Sequence, residues 1–318
     1  MKPYTLDNNL VYGYNDGIFN PNDKTKIDSL QCSYARVQRL PGTFQEECHK
    51  VAKILSVESQ KLTRIPMVFL SGGYDSEVVA KSFIETNLDF QPITFRFKNN
   101  LNRHEMYYID KFSKRHNLNV MYIDMDIQEW MSSTEALEMF NVSHCHFPEL
   151  LPHMKLMDIV WNNCKGLPIL GNGDLYVSRE INPIWRLHDS SAEKYVWNYL
   201  EYEYILAWFR FAVAKQILGG IGFFQHTPEI TLSMILEPEI QNVCNNNNRH
   251  RMSSRSTKYL IYKKYWPDLE DRIKYDGGEL SRGLYYKFMF DHTLSRMIPY
   301  LDVWRESFTQ FQNRLMPL

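Results

Sequence analysis

Six consecutive residues, Ser71-Gly72-Gly73-Tyr74-Asp75-Ser76, bring two glycines, two hydroxyls and a carboxylate into one short turn. Glycines let a backbone bend tightly and bring its N–H groups close to an anion. Ser71 and Ser76 add hydroxyl donors, and a helix beginning at this point adds the positive end of its dipole. Together these groups make a cradle for a pyrophosphate. The same residues also fit a plain strand-to-helix turn in which Ser76 acts only as a cap, and both readings stand at this level. The other common phosphate motif, G-x-x-x-x-G-K-[ST], is excluded because no glycine in the chain is followed by lysine.

Other groups carry weaker chemistry. His144-Cys145-His146, with His153 nearby, suggests a metal, but adjacent residues of an extended stretch point to opposite faces and a third ligand is not evident. A structural or substrate-lining loop is the simpler reading. Asp124-Met125-Asp126 has the look of a metal pair, although carboxylates at a strand end are common turn formers. Cys145 or Cys164 would suit sulfur transfer, yet a lone cysteine is more often buried packing. The basic stretch from Arg249 to Lys264 fits a polyanion site, a solvated helix face or the phosphate-side wall of an active site.

The elements that must position the glycine turn follow from periodicity. Residues 44–62 place Cys48, Val51, Ala52 and Leu55 on one helical face. After Pro66 the run Met67–Leu70 has the form of a strand buried on both faces of a parallel sheet. A helix over Asp75–Thr86, a strand at Ile93–Phe97, a helix over 104–116 and a strand at Val120–Ile123 come next. A helix near 152–165 leads into Leu167–Leu170, which ends at Gly171-Asn172-Gly173-Asp174. Strands alternating with helices at this spacing predict right-handed crossovers and an α/β fold built on a doubly wound parallel sheet. Residues 1–43 suggest loops and short strands. Residues 190–218 read as an aromatic-rich helix, core or oligomer contact in character, ending at Gly219-Gly220. We expect an N-terminal extension and helix at 1–64, a nucleotide-binding α/β domain at 65–185, and a helical region at 186–318 packed on the sheet and completing the site.

Bulk properties narrow the class. The 318 residues are 44% hydrophobic and 23% charged with a formal net charge of −1, so no global field draws the chain to nucleic acid or an anionic membrane. Five cysteines, an odd number without a C-x-x-C pair, argue against a disulfide framework and fit a reducing compartment. The N-terminus lacks the apolar core of a signal peptide, and no stretch has the apolar length of a membrane span. A cytoplasmic location is expected.

Taken whole, S-G-G-Y-D-S after the apolar run Met67–Leu70 resembles the PP-loop of the N-type ATP pyrophosphatases. Within that group the chain is most similar to the synthetase domain of asparagine synthetase and β-lactam synthetase. The similarity extends over roughly 45–280. Thr94–Phe97 stands where the second strand of that branch touches adenine, Glu105 falls near its D-E pair, and Gly171-Asn172-Gly173-Asp174 resembles its G-x-G-x-D-E loop. Phe224–Glu239 is faintly similar to its R-x-P-F-L-D segment, and Lys258-Tyr259-Leu260 with Pro267, Arg272 and Lys274 to its K-x-L-R … P … R-x-K pattern. The Gly171–Asp174 loop departs from the branch: it is one residue shorter and has Leu175 where the branch has Glu. The substrate acid therefore differs from aspartate or the base lies elsewhere, with Glu180 and Glu229 as candidates on position.

The resemblance implies a HUP-like fold and an ATP-dependent, AMP-forming ligase. A carboxylate or amide oxygen would attack the α-phosphorus, pyrophosphate would leave, and an amine would attack the adenylate. Ser71, Gly72, Gly73, Asp75, Ser76, Thr94, Gly171 and Gly173 would hold ATP. Asp75 and Asp174 would ligate Mg²⁺, with Asp174 and Lys274 serving the chemistry. The partners implied are a small-molecule acid and an amine, with no membrane; nucleic acid and a homo-oligomer stay open. Two other readings are kept: a nucleobase- or tRNA-modifying enzyme of the same type, and an ATP-binding protein without catalysis. Lys2 follows Met1 and the first cysteine is Cys32, so glutamine hydrolysis of the kind that uses an N-terminal cysteine is not expected.

Overall fold

The computed structural model describes residues 10–13, 31–34, 37–143, 148–172, 207–208, 210–217, 219–239 and 254–271, together with 283, 288 and 291–292. Two short strands, β1 (Leu10–Gly13) and β2 (Gln31–Tyr34), pair antiparallel near the start of the chain. The expectation of short strands in residues 1–43 thus holds for these two segments.

Helix α1 (Phe44–Lys61) starts where the sequence predicts, because Thr43 and Glu46 form a reciprocal capping box that satisfies two N-terminal donors. Its Cys48, Val51, Ala52 and Leu55 face is fully buried. The sheet then alternates with helices: β3 (Ile65–Phe69), α2 (Tyr74–Glu85), β4 (Gln91–Phe97), α3 (Arg103–Arg115) and β5 (Met121–Met125). Helices α1, α2 and α3 end by one device. Thr63, Asn87 and Asn117 adopt positive φ, and the next residue's N–H reaches back to the carbonyls of Ser59, Phe83 and Ser113. After β5 come α4 (Ile127–Met131), α5 (Thr134–Ser143) and α6 (Leu151–Asp158), which widens into a π turn at Ile159–Asn163 before β6 (Gly166–Ile169). Two later helices, α7 (Pro228–Ile235) and α8 (Ser254–Tyr265), are described beyond the sheet.

The four main strands are parallel in the order β5-β4-β3-β6. From β3 the chain steps outward through β4 to β5, then returns across the sheet to place β6 on the other flank of β3. The direction of winding therefore reverses between β3 and β6. In open α/β sheets that switch point opens a crevice at the carboxyl ends of the strands, where ligands bind. The expected α/β fold with a doubly wound order is what the structure has. Strand boundaries differ from expectation by one or two residues, in β3 because Pro66 is tolerated inside the strand.

Candidate active site

The glycine turn lies in that crevice. β3 ends at Phe69, and Leu70 donates its N–H to the carbonyl of Ile93, so Thr94 of β4 runs level with the approach to the turn. Thr94 is buried. Gly72 has φ +68°, and a Cβ there would lie 2.7 Å from the Glu105 carbonyl oxygen and 2.9 Å from its Cα. Backbone of α3 thus closes one side of the turn and only glycine fits. The side chains brace it: Ser71 N–H donates to Ser76 Oγ at 3.2 Å, Gly73 N–H to Ser71 Oγ at 3.3 Å, and Ser76 Oγ–H to the Gly73 carbonyl at 2.9 Å. Ser76 therefore braces the turn from within α2, although the N-cap is Gly73 and not Ser76 as the simpler reading of the sequence has it. Gly73 is the N-cap of α2 and offers no side-chain cap, so the first-turn N–H groups face the mouth of the turn at the positive end of the helix dipole.

The loop after β6 meets the turn directly. A Cβ on Gly171 would lie 2.9 Å from the Asp75 carbonyl carbon and the Ser76 nitrogen, so this loop packs on the first turn of α2 only as glycine. Asn172 anchors it. Its Oδ1 accepts from Gly222 N–H at 2.7 Å, and its carbonyl accepts from Phe224 N–H. Gly173, Asp174, Glu180 and Lys274 lie outside the described residues. Glu229 is buried and accepts the Gln38 N–H at 2.8 Å, which employs it in holding the segment before α1.

The carboxylate of Asp75 is met by α8. Lys258 Nζ lies 2.9 Å from each carboxylate oxygen, and Tyr262 O–H donates to Oδ1 at 2.7 Å. Lys258 and Tyr262 stand four apart, on one helical face. The sequence placed Lys258 in a similar pattern but assigned the charge-stabilising role to Lys274, and Tyr262 was missed. The i, i+4 pairing of a cation with a hydroxyl was the available signal. What could not be read is that the partner lies 183 residues earlier.

An aromatic cluster holds α8 there. Phe44 stacks on Phe224 and on Tyr262 with centroids 5.9 Å apart in each case, and Trp266 meets Phe44 edge-on at 6.2 Å. Phe44, Tyr262 and Trp266 are fully buried. The turn after α8 is clasped by ion pairs: Lys81 of α2 lies 2.8 Å from Asp268, and Arg115 of α3 lies 2.9 Å from Glu270. Tyr74 O–H of the glycine turn donates to the Glu270 carbonyl at 2.9 Å.

Glu105, in the first turn of α3, is partly open to solvent yet surrounded by protein, as a cleft-lining carboxyl is. Burial pushes its pKa up to about 7, against a smaller opposing hydrogen bond from Asn102. A carboxyl shifted towards neutrality, with its backbone against Gly72 of the glycine turn, is a functional candidate.

Other constellations resolve as structure where their residues are described. Asp124 pairs with Arg96 at 2.6 Å; Asp126 caps α4 and pairs with Lys98 at 2.8 Å. His153 is pushed down to about 4 by burial and packs edge-on against Trp208. Burial raises the thiol pKa of Cys48 and of Cys164, which disfavours reactive thiolate at either. Residues 144–147 lie outside the described residues. Among the described residues no three His, Cys, Asp or Glu side chains gather to hold a metal ion. The Asp75 carboxylate has the oxygen donors that a hard divalent cation takes alongside phosphates, and here Lys258 and Tyr262 engage them. No described helix is long and apolar enough to cross a membrane.

No protein-family model matches the chain, and no curated protein matches it. Among solved structures, NMN synthetase from Francisella tularensis aligns over 74% of this chain and 99% of its own, at 16% identity and a TM-score of 0.31. NH3-dependent NAD synthetase from Campylobacter jejuni subsp. jejuni aligns over 86% of this chain and 94% of its own, at 12% identity and a TM-score of 0.34. Likenesses of this size leave the chemistry to be argued from the site itself.

Proposed function

We propose that this chain is an ATP-dependent ligase that cleaves ATP between the α- and β-phosphates, activating a carboxylate or amide oxygen for attack by an amine. One observation carries the reading. The Ser71–Ser76 turn, with Gly72 held in the left-handed region against α3, opens its helix N-terminus into the switch-point crevice between β3 and β6. A pyrophosphate leaving group needs donors fixed in advance where its charge develops, and the turn supplies them without reorganisation. Gly72, Gly73 and the first turn of α2 would receive the β- and γ-phosphates, while Thr94 lines the β4 side towards the base. Gly171 keeps the β6 loop pressed on the backbone of Asp75 and Ser76, at the mouth where substrate would meet the phosphates. Mg²⁺, held by Asp75, would supply charge neutralisation at the phosphates when bound.

The finer reading, an asparagine-synthetase-like enzyme using free ammonia or a substrate amine, rests on the motif resemblance in sequence. Exchange of labelled pyrophosphate into ATP in the presence of Mg²⁺ and pooled carboxylic acids tests the reaction class. Acid-dependent exchange is expected. Label entering ATP from inorganic phosphate together with ADP, and not from pyrophosphate, would overturn the proposal.

A further inference from the structure

We infer that Lys258 and a divalent metal compete for Asp75, and that Lys258 is released to the phosphates when the metal takes the carboxylate. The inference rests on the reading of the glycine turn as a pyrophosphate cradle. Lys258 Nζ stands 2.9 Å from both oxygens of Asp75, while Tyr262 O–H fills a further lone pair on Oδ1 at 2.7 Å. A carboxylate bridged in this way by an ammonium has its cation-facing edge already engaged. A metal that binds this edge must displace the ammonium. The displaced group cannot go far. Its helix is fixed through Tyr262 and Trp266 in the aromatic cluster and through the clasp of Asp268 and Glu270 on α2 and α3. The flexible lysine stem moves while the helix stays, so the ammonium swings within the crevice, beside the turn that receives the phosphates.

The pair is half-shielded, with Lys258 and Asp75 side chains 16% and 29% exposed, so the exchange involves real charge and not a solvated surface contact. Its consequence is two effects of opposite sign from one residue. Without phosphate, Lys258 opposes metal binding. Without metal, Lys258 neutralises Asp75, so its removal leaves a bare carboxylate facing the phosphates and weakens their binding.

The test is Lys258→Met with two probes measured separately: Mn²⁺ alone by electron paramagnetic resonance, and inorganic pyrophosphate alone by calorimetry. Loss of one partly shielded charge should change each affinity by about tenfold. Mn²⁺ affinity is expected to rise and metal-free pyrophosphate affinity to fall. A merely structural lysine would lower both, and that result, or no change in Mn²⁺ affinity, overturns the inference. Tyr262→Phe keeps the ammonium and should raise Mn²⁺ affinity slightly with pyrophosphate unchanged. Lys258→Gln also removes the charge and should show the same two shifts, giving a second arm if Lys258→Met does not fold, while Lys258→Arg keeps the charge and should resemble the wild type. If the wild type fails to bind pyrophosphate while Lys258→Met still gains Mn²⁺ affinity, the cradle reading falls and the competition stands.

Discussion

Asp75 and Asp124 are both carboxylates near the carboxyl ends of sheet strands, and each is held by a cation, yet their surroundings differ in every respect that matters for chemistry. Asp124 meets Arg96 directly across the β4–β5 ladder, 28 residues apart, with the two side chains 70% and 52% exposed. Asp75 meets a lysine from a separate helix 183 residues away, in a crevice walled by α3, the β6 loop and an aromatic cluster. The first pair trims a sheet edge; the second joins two regions of the chain at the place where the winding of the sheet reverses. The same residue types do different work because the topology gives one of them a concave, partly dry setting.

The largest effect is expected from removing the support of the Asp75 side. Phe44→Ala deletes the ring on which Phe224 and Tyr262 stack, at a cost of about 3–5 kcal/mol in urea unfolding. Pyrophosphate affinity should fall with it; full stability would show that the cluster does not carry α8. Asp75→Asn keeps the shape and removes the charge. It should lower turnover by about a hundredfold or more while the unfolding midpoint stays within a few degrees, and an unfolded variant would make Asp75 structural.

Glu105 gives an intermediate effect with a defined sign. Its folded pKa of about 7 stands above its ordinary value of 4.5, so the folded state holds the proton more tightly. The stability it contributes is full below about 4.5 and is lost as pH rises towards 7. Glu105→Gln should therefore be more stable than wild type at pH 8, with the difference vanishing near pH 4; equal stability at both would contradict the burial. The smallest effect belongs to the other member of the comparison. Asp124→Asn should leave both melting temperature and turnover unchanged, and a loss of activity there would erase the contrast.

Much of the sheet was legible because apolar runs flanked by Gly and Pro leave few alternatives to buried parallel strands. The glycine turn was legible because only a short list of residues permits that backbone. The Asn87 and Asn117 helix ends were present in the sequence as well, although the helices were expected to run one residue longer. The pairing of Asp75 with Lys258 and Tyr262 was not legible. It depends on how α8 docks, and that is decided by scattered contacts from Phe44, Phe224, Lys81 and Arg115, none of which forms a local pattern. The double use of Ser76 Oγ, accepting from Ser71 and donating to Gly73, likewise appears only in the hydrogen bonds.

The glycine turn is proposed to hold pyrophosphate as a leaving group. ³¹P NMR of the products formed from ATP, Mg²⁺, pooled carboxylic acids and ammonia tests this most directly. AMP and pyrophosphate in equal amounts, both lost in Asp75→Asn, are the predicted result; ADP and inorganic phosphate from the wild type would contradict it.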